Sequence, residues 1–171
     1  MKPLSPEKIE EGFNKAKAVS EKAYSPYSKL NVGAAILYQE GSLWALGCNV
    51  ENASYGATIC AERMAVGALV SGNPGGSDQS PCRSGDKKSE QQKARESAKS
   101  VPLMEALFLY STFEGSAIPP CGMCLQVISE FAPRDLPIYL GSQNGVEKKI
   151  TLQELLPQHF DKGSLPNQRS S

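Results

Sequence analysis

Apolar residues recur along this chain in two rhythms. Near the start, Ile9, Phe13, Ala16 and Val19 fall three or four apart, the spacing of one helix face. Ser5, Pro6 and Glu7 precede them: a capping hydroxyl, a proline suited to a first turn, and an acid at the positive end of the dipole. The spacing predicts a helix to about residue 23, its apolar face packed on a core, broken by Ser25-Pro26-Tyr27-Ser28. Residues 31–38 and 43–50 are short apolar runs around Gln39-Glu40-Gly41-Ser42, and read as a β-hairpin. Gly33-Ala34-Ala35 is small for a strand, so something packs closely on it, either a helix or a substrate.

Residues 59–70 hold helix formers without proline, and 103–111 read as a third, largely buried strand. A second helix is predicted over 121–131, with Pro120 where a missing N–H costs nothing. Strands at 136–140 and 147–150 flank the Asn144-Gly145 turn, and a short helix follows over 151–156. The alternation of elements predicts an α/β fold with helices packed on a mixed sheet.

Between residues 71 and 100 the pattern lapses into Gly, Ser, Lys, Gln and Glu with almost no large apolar side chains. Such a stretch buries too little surface to offset its ordering entropy, so an exposed insertion is expected, with a solvated helix over 87–99. The tail over 161–171 is polar and expected to be loose. The rest reads as a single domain spanning 1–171, a length sufficient for a real core.

Charge narrows the function classes. Lys+Arg and Asp+Glu balance at 18 each, which leaves no basic field for nucleic acid or an anionic membrane. No apolar run approaches the roughly 20 residues of a membrane span, and Met1-Lys2-Pro3-Leu4 opens no secretory signal. The expectation is a cytoplasmic protein. In that reducing compartment, 5 cysteines read as free thiols or metal ligands.

Two segments carry the chemistry. Cys60 is followed two residues later by Glu62, and Cys121 and Cys124 form a C-x-x-C after Pro119-Pro120. A C-x-x-C alone is ambiguous among zinc, a redox pair and coincidence. The pair does not follow the first strand of a thioredoxin-like unit, and Cys60 with its neighbouring carboxylate supplies what a catalytic zinc site needs. Such a site has three protein ligands, an open fourth position, and an acid–base group beside it. Both segments start predicted helices, whose free amides favour thiolates. Arg63 is placed to donate to the ligand sulfurs and offset their charge. Cys48 reads as a core residue and Cys82 as a bystander. His159, the only histidine, reads as a surface residue away from both motifs, which leaves Ser-His-Asp chemistry without its base.

The chain resembles the small zinc-dependent cytidine deaminases, the homotetrameric type with three cysteine ligands. The likeness runs from about residue 23 to 160, apart from the insertion. It rests on A-Y-S-P-Y-S-K-L-N-V-G-A-A, G-C-N-V-E-N-A-S-Y, C-A-E-R, P-C-G-M-C-L-Q-V-I-S-E-F and E-L-L-P-Q-H-F, in the family's order. It implies a three-layer α-β-α fold on a mixed five-stranded sheet, one zinc per subunit held by Cys60, Cys121 and Cys124, and Glu62 as proton shuttle. In that chemistry a zinc-activated hydroxide attacks C4 of cytosine, and Glu62 passes the proton to N3 and helps ammonia leave. Asn49 and Glu51 resemble the ribose-binding pair, and the Ala61 backbone would help hold the base. Phe160 is similar to the aromatic that caps a neighbouring subunit's site.

Three departures stand out. Leu30 replaces a phenylalanine near the base, Leu125 replaces an arginine after the second C-x-x-C cysteine, and Pro119 replaces a serine. Ligands and Glu62 are untouched, so the expectation is an active enzyme on a nucleoside. Its rivals are a sister enzyme for a modified cytosine nucleoside, a non-catalytic zinc-stapled interaction protein, and an editing deaminase on RNA or DNA.

Overall fold

A computed structural model describes residues 3–72, 103–161 and 164 of the chain. The first helix, α1 (Pro6–Ser20), starts as its sequence dictates: Ser5 Oγ accepts from the Lys8 N–H at 3.3 Å, and Pro6 sits in the first turn. It stops short of residue 23 because the chain turns extended there. The Tyr24 N–H donates to the Asn49 carbonyl at 3.0 Å, and the Glu51 N–H donates to the Tyr24 carbonyl at 2.8 Å.

Five strands form one sheet: β1 (Val32–Tyr38), β2 (Leu43–Cys48), β3 (Met104–Ser111), β4 (Pro137–Ser142) and β5 (Gly145–Thr151), in the order β2-β1-β3-β4-β5. Only β3 and β4 run parallel. The crossover between them carries helix α3 (Gly122–Ser129), while α2 (Ala61–Ser71) follows β2 and the short α4 (Leu152–Leu155) follows β5. Strand β5 is longer than expected because its edge pairing continues to Thr151, which then opens the capping box of α4 with Glu154.

The sheet separates two cores, which gives the α-β-α layering. On one face Phe13 and Ala16 of α1 cover Ala35, Leu37, Ala106, Phe108 and Tyr139. There Phe108 and Tyr139 stack with ring centroids 4.8 Å apart. On the other, Ala65 and Leu69 of α2, Ile128 of α3 and Leu152 of α4 cover Ala34, Ile36, Leu107, Leu109 and Ile138. The alternation along β1 follows from the strand period of two.

Small residues in the hairpin set how closely the helices approach. A Cβ at Gly33 would lie 1.9 Å from the Ala16 carbonyl oxygen, so the partner that needs its smallness is helix α1. On the opposite face a Cβ at Gly47 would lie 2.3 Å from the Ala65 nitrogen of α2. The two contacts clamp the β1–β2 hairpin between helices. The expected insertion over 71–100, its solvated helix and Cys82 lie outside the described residues, apart from the end of α2 and Gly72. Gly72 closes α2 in the left-handed conformation at φ 72°. Most of the tail over 161–171 lies outside them too.

Candidate metal and nucleoside site

Strand register brings the ends of β2 and β3 and the start of β1 to one edge, with Cys48 opposite Gly33 and Val32 opposite Ser111. Helices α2 and α3 lie side by side on one face, and each is capped by a cysteine. Cys60 and Cys121 are N-cap residues with extended backbone, ψ 154° and 166°, and neither sulfur is used as a capping acceptor. Pro120 therefore lies two residues before Gly122 and not within the first turn of α3, because the extended Cys121 intervenes. The cap positions also correct the expectation that both cysteines sit inside the helices.

The three sulfurs of Cys60, Cys121 and Cys124 lie within 4.8 Å of one another, and those of Cys121 and Cys124 are 3.4 Å apart. Thiolates at about 2.3 Å from a tetrahedral zinc stand about 3.8 Å from each other, so the trio fits one ion with little adjustment. Cys124 is fully buried, Cys60 half-buried and Cys121 exposed, which leaves one side of the cluster open.

The electrostatics favour a thiolate at Cys60. A hydrogen bond from the Cys124 thiol, reinforced by Arg63, pushes Cys60 down to about 5, and the proton it keeps drives Cys124 up. Neighbouring groups, more than helix amides, set the Cys60 thiolate. Arg63 Nη2 donates to the Thr58 carbonyl at 2.7 Å and lies 3.9 Å from Cys60 Sγ. Glu62, in the first turn of α2, is only 5% exposed, and burial raises its carboxyl above the ordinary range. Burial therefore favours the protonated carboxyl, and the neighbouring Cys60 charge acts in the same direction.

The Leu30, Asn49 and Glu51 group converges on the loop between α1 and β1. Asn49 is 9% exposed: its Nδ2 donates to the Leu30 carbonyl at 2.9 Å, and its Oδ1 accepts from the Val32 N–H at 2.8 Å. Its own carbonyl is taken by Tyr24, so the side chain stands in for the backbone where the strands part. Glu51 accepts from the Tyr27 and Ser28 N–H groups at 2.9 and 3.2 Å and from the Ser28 hydroxyl. These bonds hold its carboxyl below the ordinary range, the Ser28 hydroxyl contributing most. Ala61 is fully buried at the start of α2. Phe160 is 60% exposed, its carbonyl accepting from Gln126 Nε2 at 2.8 Å.

His159 is partly exposed and held by a partner distant in the chain. Its side chain is 15% exposed, with Nδ1 2.6 Å from Arg134 Nη1. It stands apart from the sulfur cluster. Leu125 is 6% exposed and joins the core beneath α2 and α3, an apolar use of that position. Three contributors were not singled out in the sequence. Thr58 orients Arg63, Ser28 orients Glu51, and Glu147 accepts from the Ala117 N–H at 3.0 Å, tying down the loop before the C-x-x-C. The S-P-Y-S loop was a signal for Ser28; the others act through backbone groups that leave no pattern.

Comparison with known proteins agrees with this geometry. The family described as the cytidine and deoxycytidylate deaminase zinc-binding region matches residues 6–140. A cytidine deaminase of Sporosarcina psychrophila is 34% identical over 92% of this chain and 94% of its own length. One from Halalkalibacterium halodurans is 36% identical over 82% and 84%. The crystal structure of the Burkholderia pseudomallei cytidine deaminase superposes with a TM-score of 0.65 at 32% identity, covering 92% of this chain and all of that one. Matched by the family over residues 6–140 and by relatives above 30% identity along most of both chains, the chain belongs to the zinc-binding cytidine and deoxycytidylate deaminase family.

Proposed function

We propose that this protein hydrolyses cytidine or deoxycytidine to uridine or deoxyuridine and ammonia, within pyrimidine salvage. The observation that carries the reading is Glu62, buried two residues from Cys60 beside a cluster of three sulfurs fit for zinc. When bound, zinc supplies a water acidic enough to serve as nucleophile near neutral pH. Cys60, Cys121 and Cys124 hold the ion, and the Arg63 guanidinium offsets their charge. Glu62 takes the proton from the attacking water and gives it to N3 of the base. It then carries a second proton to the departing amine, so water and cytidine become uridine and ammonia.

The remaining groups bind and orient. Asn49, with one N–H left after bonding Leu30, and Glu51 grip a ribose hydroxyl. The Ala61 backbone holds the base, and Leu30 lies against it as a plain apolar contact. Phe160 covers the site of a neighbouring copy in a homotetramer. The balanced charge supports a small nucleoside as partner over a nucleic acid. We assign the single domain to the cytoplasm, a reducing compartment that keeps cysteines free to bind metal. Among the described residues no helix is long and apolar enough to cross a membrane.

Substitution of Glu62 by Gln tests the assignment. The variant keeps its zinc by metal analysis and loses turnover of cytidine by about 100-fold or more. Unchanged turnover with zinc in place would overturn the role of Glu62, and a zinc-stapled interaction protein would show no turnover in either form.

A further inference from the structure

After α4 the chain runs back past α3 through Pro157 to Asp161, and it is gripped at three points. Arg134, two residues before Leu136 leads into β4, donates from Nη2 to the Pro157 carbonyl at 2.8 Å. Its Nη1 lies 2.6 Å from Nδ1 of His159, and Gln126 of α3 donates to the Phe160 carbonyl at 2.8 Å. Arg134 is itself anchored, because its carbonyl accepts from the Gln153 N–H at 2.9 Å. An always-charged guanidinium can only donate, so the Arg134 bond makes His159 Nδ1 an acceptor and leaves the proton on Nε2, toward Asp161 at 3.8 Å.

All three grips fall on backbone carbonyls or on the histidine, while Phe160 as a residue is left 60% exposed. A free segment of this kind would sample many conformations, and fixing it beforehand removes an ordering cost from binding. The arrangement holds an exposed aromatic ring in place without burying it in its own chain. We propose that Arg134 is a positioning residue, which grips Pro157 and His159 to set the Phe160 ring over the nucleoside in a neighbouring copy's site. The proposal rests on the reading above that Phe160 covers that site.

A double-mutant cycle tests it on the zinc-loaded full chain, with kcat and KM measured for cytidine in the wild type, Arg134→Met, Phe160→Ala and the double variant. The expected result is a KM raised about three- to tenfold by Arg134→Met, a similar or larger rise from Phe160→Ala, and no further rise in the double variant. Arg134→Lys, which can reach one partner only, falls between wild type and Arg134→Met, with kcat close to wild type. An unchanged KM in Arg134→Met while Phe160→Ala raises it overturns the role of Arg134 alone. Multiplying effects in the double variant do the same, because Arg134 then acts elsewhere. An unchanged KM in Phe160→Ala overturns the reading of Phe160 and the proposal with it. General destabilisation by Arg134→Met would lower its melting temperature but would not make its KM effect vanish in the Phe160→Ala background.

Discussion

Arg63 stands one turn after Cys60 and holds Nη2 3.9 Å from its sulfur while donating to the Thr58 carbonyl at 2.7 Å. Among the described residues its buried Nε has no hydrogen-bond partner, so the guanidinium is placed for its charge near sulfur more than for a full set of bonds. Arg63→Gln keeps a donor and removes the charge. It should cost about 10- to 100-fold in zinc affinity or in kcat. Competition with a chelator, together with steady-state kinetics, measures both, and an effect below twofold on each would show that the sulfurs do not need it.

Gly33 gives a stability test that does not touch the site. A methyl there would meet the Ala16 carbonyl at 1.9 Å, and neither β1 nor α1 can yield without disturbing the Phe13 core. Gly33→Ala should destabilise by about 1–3 kcal/mol, seen as a lower thermal midpoint. A neutral result would mean that α1 can slide on the sheet.

Glu51 makes stability depend on pH in a defined direction. Its carboxyl is held below the ordinary 4.5 by the Ser28 hydroxyl and the Tyr27 and Ser28 amides. A depressed folded-state value stabilises the fold above 4.5, and that contribution is lost as pH falls through the folded value. The stability difference between wild type and Glu51→Gln should therefore stay constant above pH 4.5 and shrink below it. Denaturant titrations at several pH values check this; a difference that grows on acidification would contradict the assignment.

The parts that could be read from the sequence were those with local causes. Ser5-Pro6-Glu7 announces α1, the small Gly33-Ala34-Ala35 run announces a close neighbour, and Cys60, Glu62, Cys121 and Cys124 announce the site by spacing and chemistry. What stayed hidden depends on pairs distant in the chain. Glu51 meets Ser28 across 23 positions, and Arg134 meets His159 across 25, so neither leaves a periodic trace. The lowered Cys60 thiol is likewise a product of the fold, since Cys124 reaches it only where α2 and α3 lie together.

The central claim is tested most directly by the ultraviolet absorbance of cytidine mixed with protein carrying one zinc per chain. Loss of the exocyclic amine changes the chromophore. The account predicts steady turnover with one ammonia released per uridine formed, abolished when the metal is chelated and restored by zinc. Absence of turnover with zinc content confirmed would contradict it.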